Sequence, residues 1–512
     1  MSAPSSTTKP FSSPRETISA IPSGVQGLDA ILSGGFAQHR VHLVEGAPGS
    51  GKTTLGLQFL MHGVSRGERA LYITLSESKS ELLSVAESHG WSLDGLEIFE
   101  LIPPELSLDP GQRQTVVYSA DLELGETVQT VLSEVERVKP HRIVFDSLSE
   151  IRLLAQSSLR YRRQVLALKH YFAQHACTVL LLDDLTSEGD DLNLHSISHG
   201  VLRMEQIAVQ YGSERRRLRV YKMRGTKFRG GYHDFTIRRG GVVVYPRLVA
   251  SEHHRDFDDS TPAGTGVAEF DRMLGGGFDR GTSSLVMGPA GSGKSSLVFQ
   301  VIYAALQRGE KAVVFSFDET RRILLKRCAG MGIDLVPYLK SGQLRLDQID
   351  PAELSPGELV GRVRGAVEDG DVRIVVLDSL SGFLNAMPEE HFMLLQMHEL
   401  LTYLNQQGVV TFLLLAQHGL IGQMQSPVDL TYLSDAVLLL RFFESDGSVR
   451  RAISVIKKRT GAHERTIREY HIDGSGVRIG PALEKFRGIL TGVPTYEGLS
   501  GHLLETRDEL ER

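Results

Sequence analysis

Cysteine is nearly absent. Only Cys177 and Cys328 occur in 512 residues; they lie far apart and lack a CxxC partner, which excludes a disulfide framework and a cysteine zinc site. Both read as small buried hydrophobes of a reducing cytoplasm. Long apolar runs are also missing. None reaches the roughly 18 residues of a membrane-spanning helix, so no membrane partner is expected. Residues 1–15 are rich in Ser, Thr and Pro and have no apolar stretch, so they read as a disordered tail rather than a signal peptide. Nor is there an excess of positive charge. Lys and Arg number 56 against 62 Asp and Glu, a net −6, with a sequence pI near 6.3. That balance argues against a nucleic-acid partner, although a local basic stripe stays open.

What remains is an ordinary globular composition, 41% apolar and 23% charged, with 52 glycines. At about 100–200 residues per domain the chain holds two to four domains. It also repeats itself. Gly24-Val25-Gln26-Gly27-Leu28-Asp29 returns as Gly266-Val267-Ala268-Glu269-Phe270-Asp271, an offset of 266 − 24 = 242. Gly46-Ala47-Pro48-Gly49-Ser50-Gly51-Lys52-Thr53 returns as Gly288-Pro289-Ala290-Gly291-Ser292-Gly293-Lys294-Ser295, again at 288 − 46 = 242. So long a period marks a duplicated domain rather than a solenoid. The expected organisation is a tail at 1–15, a first domain at 16–250, an exposed charged linker at 251–262, a second domain at 263–488 and a C-terminal tail at 489–512. Short apolar runs at 41–44, 70–75, 143–145 and 178–182 alternate with helical stretches, and 284–287, 312–317, 374–377 and 409–415 do the same in the second half. Continuous β-branched runs fit strands buried on both faces, so the expected fold is α/β, two mostly parallel sheets flanked by helices.

The two glycine-rich segments are P-loops. Gly46, Gly49, Ser50 and Gly51, like Gly288, Gly291, Ser292 and Gly293, let backbone N–H groups wrap phosphates. Lys52 and Lys294 would reach the β- and γ-phosphates of ATP, while Thr53 and Ser295 would ligate Mg²⁺. A second metal ligand must end a buried strand. Asp146 and Asp378 each follow an apolar run and each precede Ser-Leu-Ser. Hydrolysis further needs a carboxylate to activate water. Glu77 closes the run 71–75, and Glu319, with Asp318 beside it, closes 313–317. These strands are expected next to the P-loop strands, where the γ-phosphate lies; the same acids equally fit helix caps near Lys79 and Arg321. Finally, Lys222-Met223-Arg224 and Lys457-Lys458-Arg459 close apolar strands. Each is either a positive fork for a neighbour's nucleotide or a solvated charge run.

The order of these motifs, ending in Phe486-Arg487-Gly488-Ile489-Leu490-Thr491-Gly492-Val493-Pro494-Thr495, resembles the KaiC family of circadian-clock ATPases and autokinases. The likeness spans about residues 18–495. It implies two tandem RecA-like domains and a cytoplasmic homohexamer of two stacked rings with ATP at the subunit interfaces. Lys222, Arg224, Lys457 and Arg459 would then act on a neighbour's nucleotide. It also implies Ser/Thr autokinase activity in the second module and KaiB-like or other signalling partners, none of which the sequence itself names. Where the family carries adjacent glutamates, this chain has Ser76-Glu77 and Asp318-Glu319. Glu77 therefore carries the first site alone, which implies slow hydrolysis. The family's Ser-Thr acceptor pair corresponds to Thr431-Tyr432, and Ser426 matches a further hydroxyl position. Thr431 is the expected phosphoacceptor, because its hydroxyl sits on Cβ as that of Ser does. Two other readings stay open: a RecA-type recombinase or helicase using Arg160, Arg162, Arg163 and Arg215 to Arg217, and a nucleotide-switched scaffold without catalysis.

Overall fold

The computed structural model describes residues 19–101, 120–155, 157–185, 191–209, 211–385, 390–417, 430–445, 447–489 and 495–496. The chain divides into two compact units, with the change-over at Arg247 and Leu248. In the first unit β1 (Ala20–Ile21) and β2 (Phe36–Ala37) form a small antiparallel pair. The main sheet takes β3 (Val41–Gly46), β4 (Ala70–Thr74), β5 (Leu96–Glu100), β6 (Arg142–Asp146), β7 (Thr178–Asp184), β8 (Gly200–Ile207), β9 (Arg215–Met223), β10 (Tyr232–Arg238) and β11 (Gly241–Tyr245). Their order is β5-β4-β6-β7-β3-β8-β9-β10-β11. The strands from β5 to β8 run parallel, and β9, β10 and β11 continue the sheet antiparallel.

The second unit repeats this plan with β12 (Ser283–Gly288), β13 (Ala312–Ser316), β14 (Leu344–Gln348), β15 (Ile374–Asp378), β16 (Val410–Ala416), β17 (Ala436–Ser445), β18 (Ser448–Lys458), β19 (Arg468–Asp473) and β20 (Gly476–Ala482). The order is β14-β13-β15-β16-β12-β17-β18-β19-β20. A last antiparallel pair joins β21 (Phe486–Arg487) to β22 (Thr495–Tyr496). These are the two mostly parallel, helix-flanked sheets that the apolar runs predict. One expectation fails: β7 and β6 lie between β3 and β4, and β16 and β15 between β12 and β13. The strands leading to Glu77 and Glu319 are therefore not neighbours of the P-loop strands. All the central runs are equally apolar and equally buried, so composition could not rank their positions.

Each central strand is buried on both faces because helices cover both. In the first unit one core packs β3, β4 and β6 against the helix Lys52–Ser65, through Leu55, Phe59, Tyr72 and Val144. The opposite core packs the same strands against the helices Ala120–Val138 and Ser158–Gln174, through Val131, Phe145 and Phe172. Cys177 and Cys328 are both buried, and burial pushes each thiol up to about 11. The segment 251–262 is largely exposed, yet the His253 ring packs edge-on against Tyr403. Among the described residues no helix is long and apolar enough to cross a membrane.

A charge sits in the first core. Arg142 opens β6 and is fully buried. Its guanidinium donates to Glu68 Oε2 at 2.5 Å and to the Pro22 and Phe59 carbonyls at 2.9 Å each, and it lies 4.7 Å from the Phe59 ring centroid. Removing one partner of such a pair strands the other. Arg142→Met is expected to destabilise the first unit by about 3–5 kcal/mol. Trp91, the chain's one tryptophan, lies in that unit, so its fluorescence during urea unfolding reads the loss directly. A shift below about 1 kcal/mol would contradict this account of the core.

Candidate functional site

The parallel strands of each sheet end on one side, and the glycine-rich loops leave β3 and β12 there. The loops enter the helices Lys52–Ser65 and Lys294–Gln307 through Gly51 and Gly293, whose φ values are 98° and 97°. A side chain at either position would be strained by that conformation and would also strike Ile237 or Ile472. The strand–loop–helix context thus holds for both copies, and each helix presents its positive N-terminal end to the loop. Lys52 Nζ donates to the Gly46 and Ala47 carbonyls at 2.8 and 3.1 Å and pairs with Asp184 Oδ1 at 2.7 Å. Lys294 Nζ donates to Gly288 and Pro289 at 2.9 Å each. Burial lowers the Lys294 pKa, while Asp378 and Asp318 pull it up.

Asp146 and Asp378 are the last residues of β6 and β15, and both are buried. Asp146 Oδ2 accepts from Thr53 Oγ1 at 3.3 Å and from the Tyr72 hydroxyl at 2.6 Å. Asp378 is hydrogen-bonded to Ser295. Burial raises both carboxyls above the usual range, against the opposing pull of these donors and the P-loop lysines. A buried carboxylate beside a hydroxyl is a hard oxygen set of the kind Mg²⁺ takes together with substrate phosphates. Among the described residues no group of three or more His, Cys, Asp or Glu could hold a metal ion on its own. In both modules the peptide bond after the acid, Asp146-Ser147 and Asp378-Ser379, is cis.

Glu77 and Glu319 follow their strands by three residues, and neither is the helix cap. Ser78 caps Lys79–His89 in a capping box with Glu81, and Thr320 stands at the cap position of Arg321–Gly330. Glu77 Oε2 is buried without a hydrogen-bond partner. Burial first, then the charges of Asp146, Glu81 and Asp184, push its carboxyl up to about 7, and Lys52 opposes them. Glu319 instead binds Arg327 with both oxygens, at 3.2 and 2.6 Å. Asp318 accepts from Ser379 Oγ at 2.5 Å.

Each basic fork grips the backbone just before the strand beside the P-loop strand of its own module, the end of the helix Asp191–Ile197 in the first and the turn at 431–433 in the second. Lys222 Nζ donates to the His195 carbonyl and Arg224 Nη2 to that of Ser196 at 2.7 Å. Lys457 Nζ donates to the Thr431 and Ser434 carbonyls at 2.8 and 2.7 Å, and Arg459 Nη2 to Tyr432 at 2.7 Å. Lys222 and Lys457 lie inside β9 and β18, which run farther than the apolar stretches suggest. Thr431 sits half-buried in the turn and Tyr432 is 55% exposed; the strand β17 begins only at Ala436. Ser426 lies outside the described residues. The arginines of β9 are engaged locally, Arg217 with Glu205 at 2.8 Å and over the Tyr232 ring at 4.0 Å, and Arg216 with Glu214 at 3.1 Å.

Sequence reasoning missed several groups. Tyr72 steadies Asp146; a phenol inside an apolar strand demands a buried partner, which was the available signal. Glu45, in the P-loop strand, accepts from His195 Nε2 at 2.8 Å and Arg203 Nε at 2.7 Å. Asp184 and Arg327 carried no local sequence signal.

The comparisons with known proteins agree with this geometry. A family model described as "ATPase: KaiC" matches residues 21–249 and 263–484. The chain is 28% identical over 493 residues to the Circadian clock protein KaiC3 of Synechocystis sp., covering 94% of this chain and 96% of that protein. It is 28% identical over 494 residues to the Circadian clock oscillator protein KaiC of Thermosynechococcus vestitus, covering 94% of each. The protein of that name from Acaryochloris marina is 27% identical over 482 residues, covering 93% of this chain and 91% of its own. Two P-loop modules of RecA-like fold, both matched by one family model, place this chain in the KaiC family of ATPases.

Proposed function

We propose that the chain hydrolyses Mg·ATP at both P-loops, assembles with ATP into a homohexamer, and transfers phosphate to its own second module at Thr431. The observation that carries this reading is the duplicated constellation of P-loop lysine, buried strand-end acid with its hydroxyl, and carboxylate one loop away. Lys52 and Lys294 neutralise phosphate charge. Thr53 with Asp146, and Ser295 with Asp378, would hold Mg²⁺, which when bound supplies positive charge against the phosphate oxygens. Tyr72 orients the first of these acids. In the first module Glu77 takes a proton from water as the water oxygen attacks the γ-phosphorus and ADP leaves. The acceptor reading rests on the turn at Thr431, whose carbonyls are held by Lys457 and Arg459, so its hydroxyl hangs from an anchored backbone. Signalling partners and a cytoplasmic setting belong to this proposal too; the relatives' names, a circadian clock protein and a circadian clock oscillator protein, support a role in signalling. A DNA-tracking role fits less well, since Arg216 and Arg217 of β9 are paired with carboxylates.

Nucleotide at a seam between subunits contacts both sides, so it binds the ring more tightly than the free chain and favours assembly by mass action. Analytical ultracentrifugation should show hexamers with Mg·ATP and smaller species without it. A monomer at saturating Mg·ATP would contradict the proposal.

The pH dependence follows from Glu77. Only the ionised carboxylate accepts a proton, and its pKa is raised to about 7. In a Lys294→Ala chain, where the first site alone turns over, hydrolysis should fall about tenfold per pH unit below that value. A rate flat between about pH 8 and about pH 6 would show that Glu77 is not the proton acceptor.

Transfer to Thr431 is checked by mass spectrometry after incubation in Mg·ATP. Phosphate is expected on Thr431 in the wild type and absent in Thr431→Ala and Lys294→Ala. A wild-type chain that hydrolyses ATP yet carries no phosphate would leave an ATPase without autokinase activity.

A further inference from the structure

The modules are copies, but they hold the carboxylate after the second parallel strand differently. In the second module the Arg327 guanidinium grips Glu319 with Nε at 3.2 Å and Nη2 at 2.6 Å, and its Nη1 donates to Ser296 Oγ at 3.1 Å. It also lies over the Phe299 ring, 5.6 Å from the centroid. Arg327 stands on the helix Arg321–Gly330, and Ser296 and Phe299 on Lys294–Gln307. A planar fork bound to two carboxylate oxygens and backed by a ring is a fixed arrangement, not a loose surface pair. Glu319 is thereby committed to the helices.

Asp318 faces the other way. Its Oδ2 accepts from Ser379 Oγ at 2.5 Å, beside the strand-end acid Asp378, and its charge acts on Lys294. Its other oxygen rests against Gly382, where any side chain would collide with it. In the first module the positions differ together. Asp318 corresponds to Ser76 (318 − 242 = 76), Arg327 to Val85 (327 − 242 = 85), and Gly382 to Glu150 through the offset of the strand-end acids (378 − 146 = 232, 382 − 232 = 150). Without an arginine at 85, Glu77 keeps a buried oxygen unpartnered and feels Asp146, Asp184 and Lys52.

We propose that Arg327 is a positioning residue that withdraws Glu319 from the reaction, leaving Asp318 as the proton-accepting carboxylate of the second module, whereas Glu77 serves the first. The inference rests on the reading that both modules hydrolyse ATP. As the water oxygen bonds to the γ-phosphorus, the bond from that phosphorus to the β–γ bridging oxygen breaks. The water proton passes to Asp318, and ADP and inorganic phosphate leave. Glu319 and Arg327 make no contact with the reacting atoms; their pair keeps a second negative charge off the attacking oxygen.

The test uses the full chain carrying Glu77→Gln, which silences the first site, and measures released phosphate. Asp318→Asn should lower kcat about 100-fold or more with KM for ATP nearly unchanged, whereas Glu319→Gln should change kcat by less than about threefold. The decisive readout is rescue. Asp318→Ser should be as inactive as Asp318→Asn, and adding Arg327→Val, which recreates the first module's arrangement, should recover at least about tenfold in kcat by freeing Glu319. Should Arg327→Val not fold, Arg327→Lys keeps the charge, gives up the two-point grip, and is expected to rescue in part. A kcat loss in Glu319→Gln equal to that in Asp318→Asn would overturn the proposal, and so would absent rescue in a folded double variant. Loss of all turnover in Glu77→Gln alone would also overturn it. A wild-type chain that hydrolyses no ATP would instead overturn the reading on which it rests.

Discussion

A carboxylate buried at the end of a central strand is costly, and that cost organises both halves of this molecule. Asp146 and Asp378 end strands whose every residue is buried, and desolvation raises both carboxyls. Such a group persists only where donors or cations surround it. The sheet supplies these from its carboxyl edge: a lysine and a hydroxyl from the first turn of the P-loop helix and, in the first module, the Tyr72 phenol. The residues that make the acid tolerable are those proposed above to hold a phosphate and its metal. Stability of the edge and readiness of the site are one electrostatic problem.

The two modules solve that problem with different counter-charges. In the first, Lys52 is shared between its own loop and Asp184, and three acids, Glu77, Asp146 and Asp184, crowd one lysine. The excess negative charge, added to burial, holds Glu77 near neutrality. In the second, Ala416 occupies the place of Asp184 and Arg327 adds a cation. Lys294 is then left with carbonyl partners and the more distant pull of Asp378 and Asp318. Duplicated backbone with redistributed charge is how one fold can run two sites of unequal chemistry.

Much of this was legible in the sequence. The repeat offset, both P-loops, the strand-end acids and the central apolar strands can all be read from local pattern, because each depends on residues close together in the chain. What stayed hidden depends on contacts between distant segments. Arg142 looks like the polar residue before a strand, yet it is fully buried by carbonyls from Pro22 and Phe59. Arg327 lies eight residues from Glu319, outside the i,i+3 and i,i+4 spacings that reveal helical pairs. The strand β9 resembles a charge run, but it lies inside the sheet between β8 and β10, with Arg217 over the Tyr232 ring and Arg219 over that of Tyr221. The order of the parallel strands was hidden for the opposite reason, since all the central runs are apolar alike.

The forks show why some positions of the family pattern tolerate change. Ser198 and Ser434 each bond back to a carbonyl four residues earlier, Leu194 and Leu430, which aligns the two segments at an offset of 434 − 198 = 236. At that offset His195 matches Thr431 and Ser196 matches Tyr432. The side chains share little, yet Lys222 and Arg224 hold the first pair as Lys457 and Arg459 hold the second, because all four donate to backbone carbonyls. Recognition of the main chain does not read the side chains. The His195 ring reaches Glu45 in the P-loop strand. Thr431 and Tyr432 project from a backbone fixed by the same means, so a hydroxyl can be exchanged there for a phenol without disturbing the turn. The fork thus supplies the constant geometry, and the module's chemistry is written in the residues it does not read.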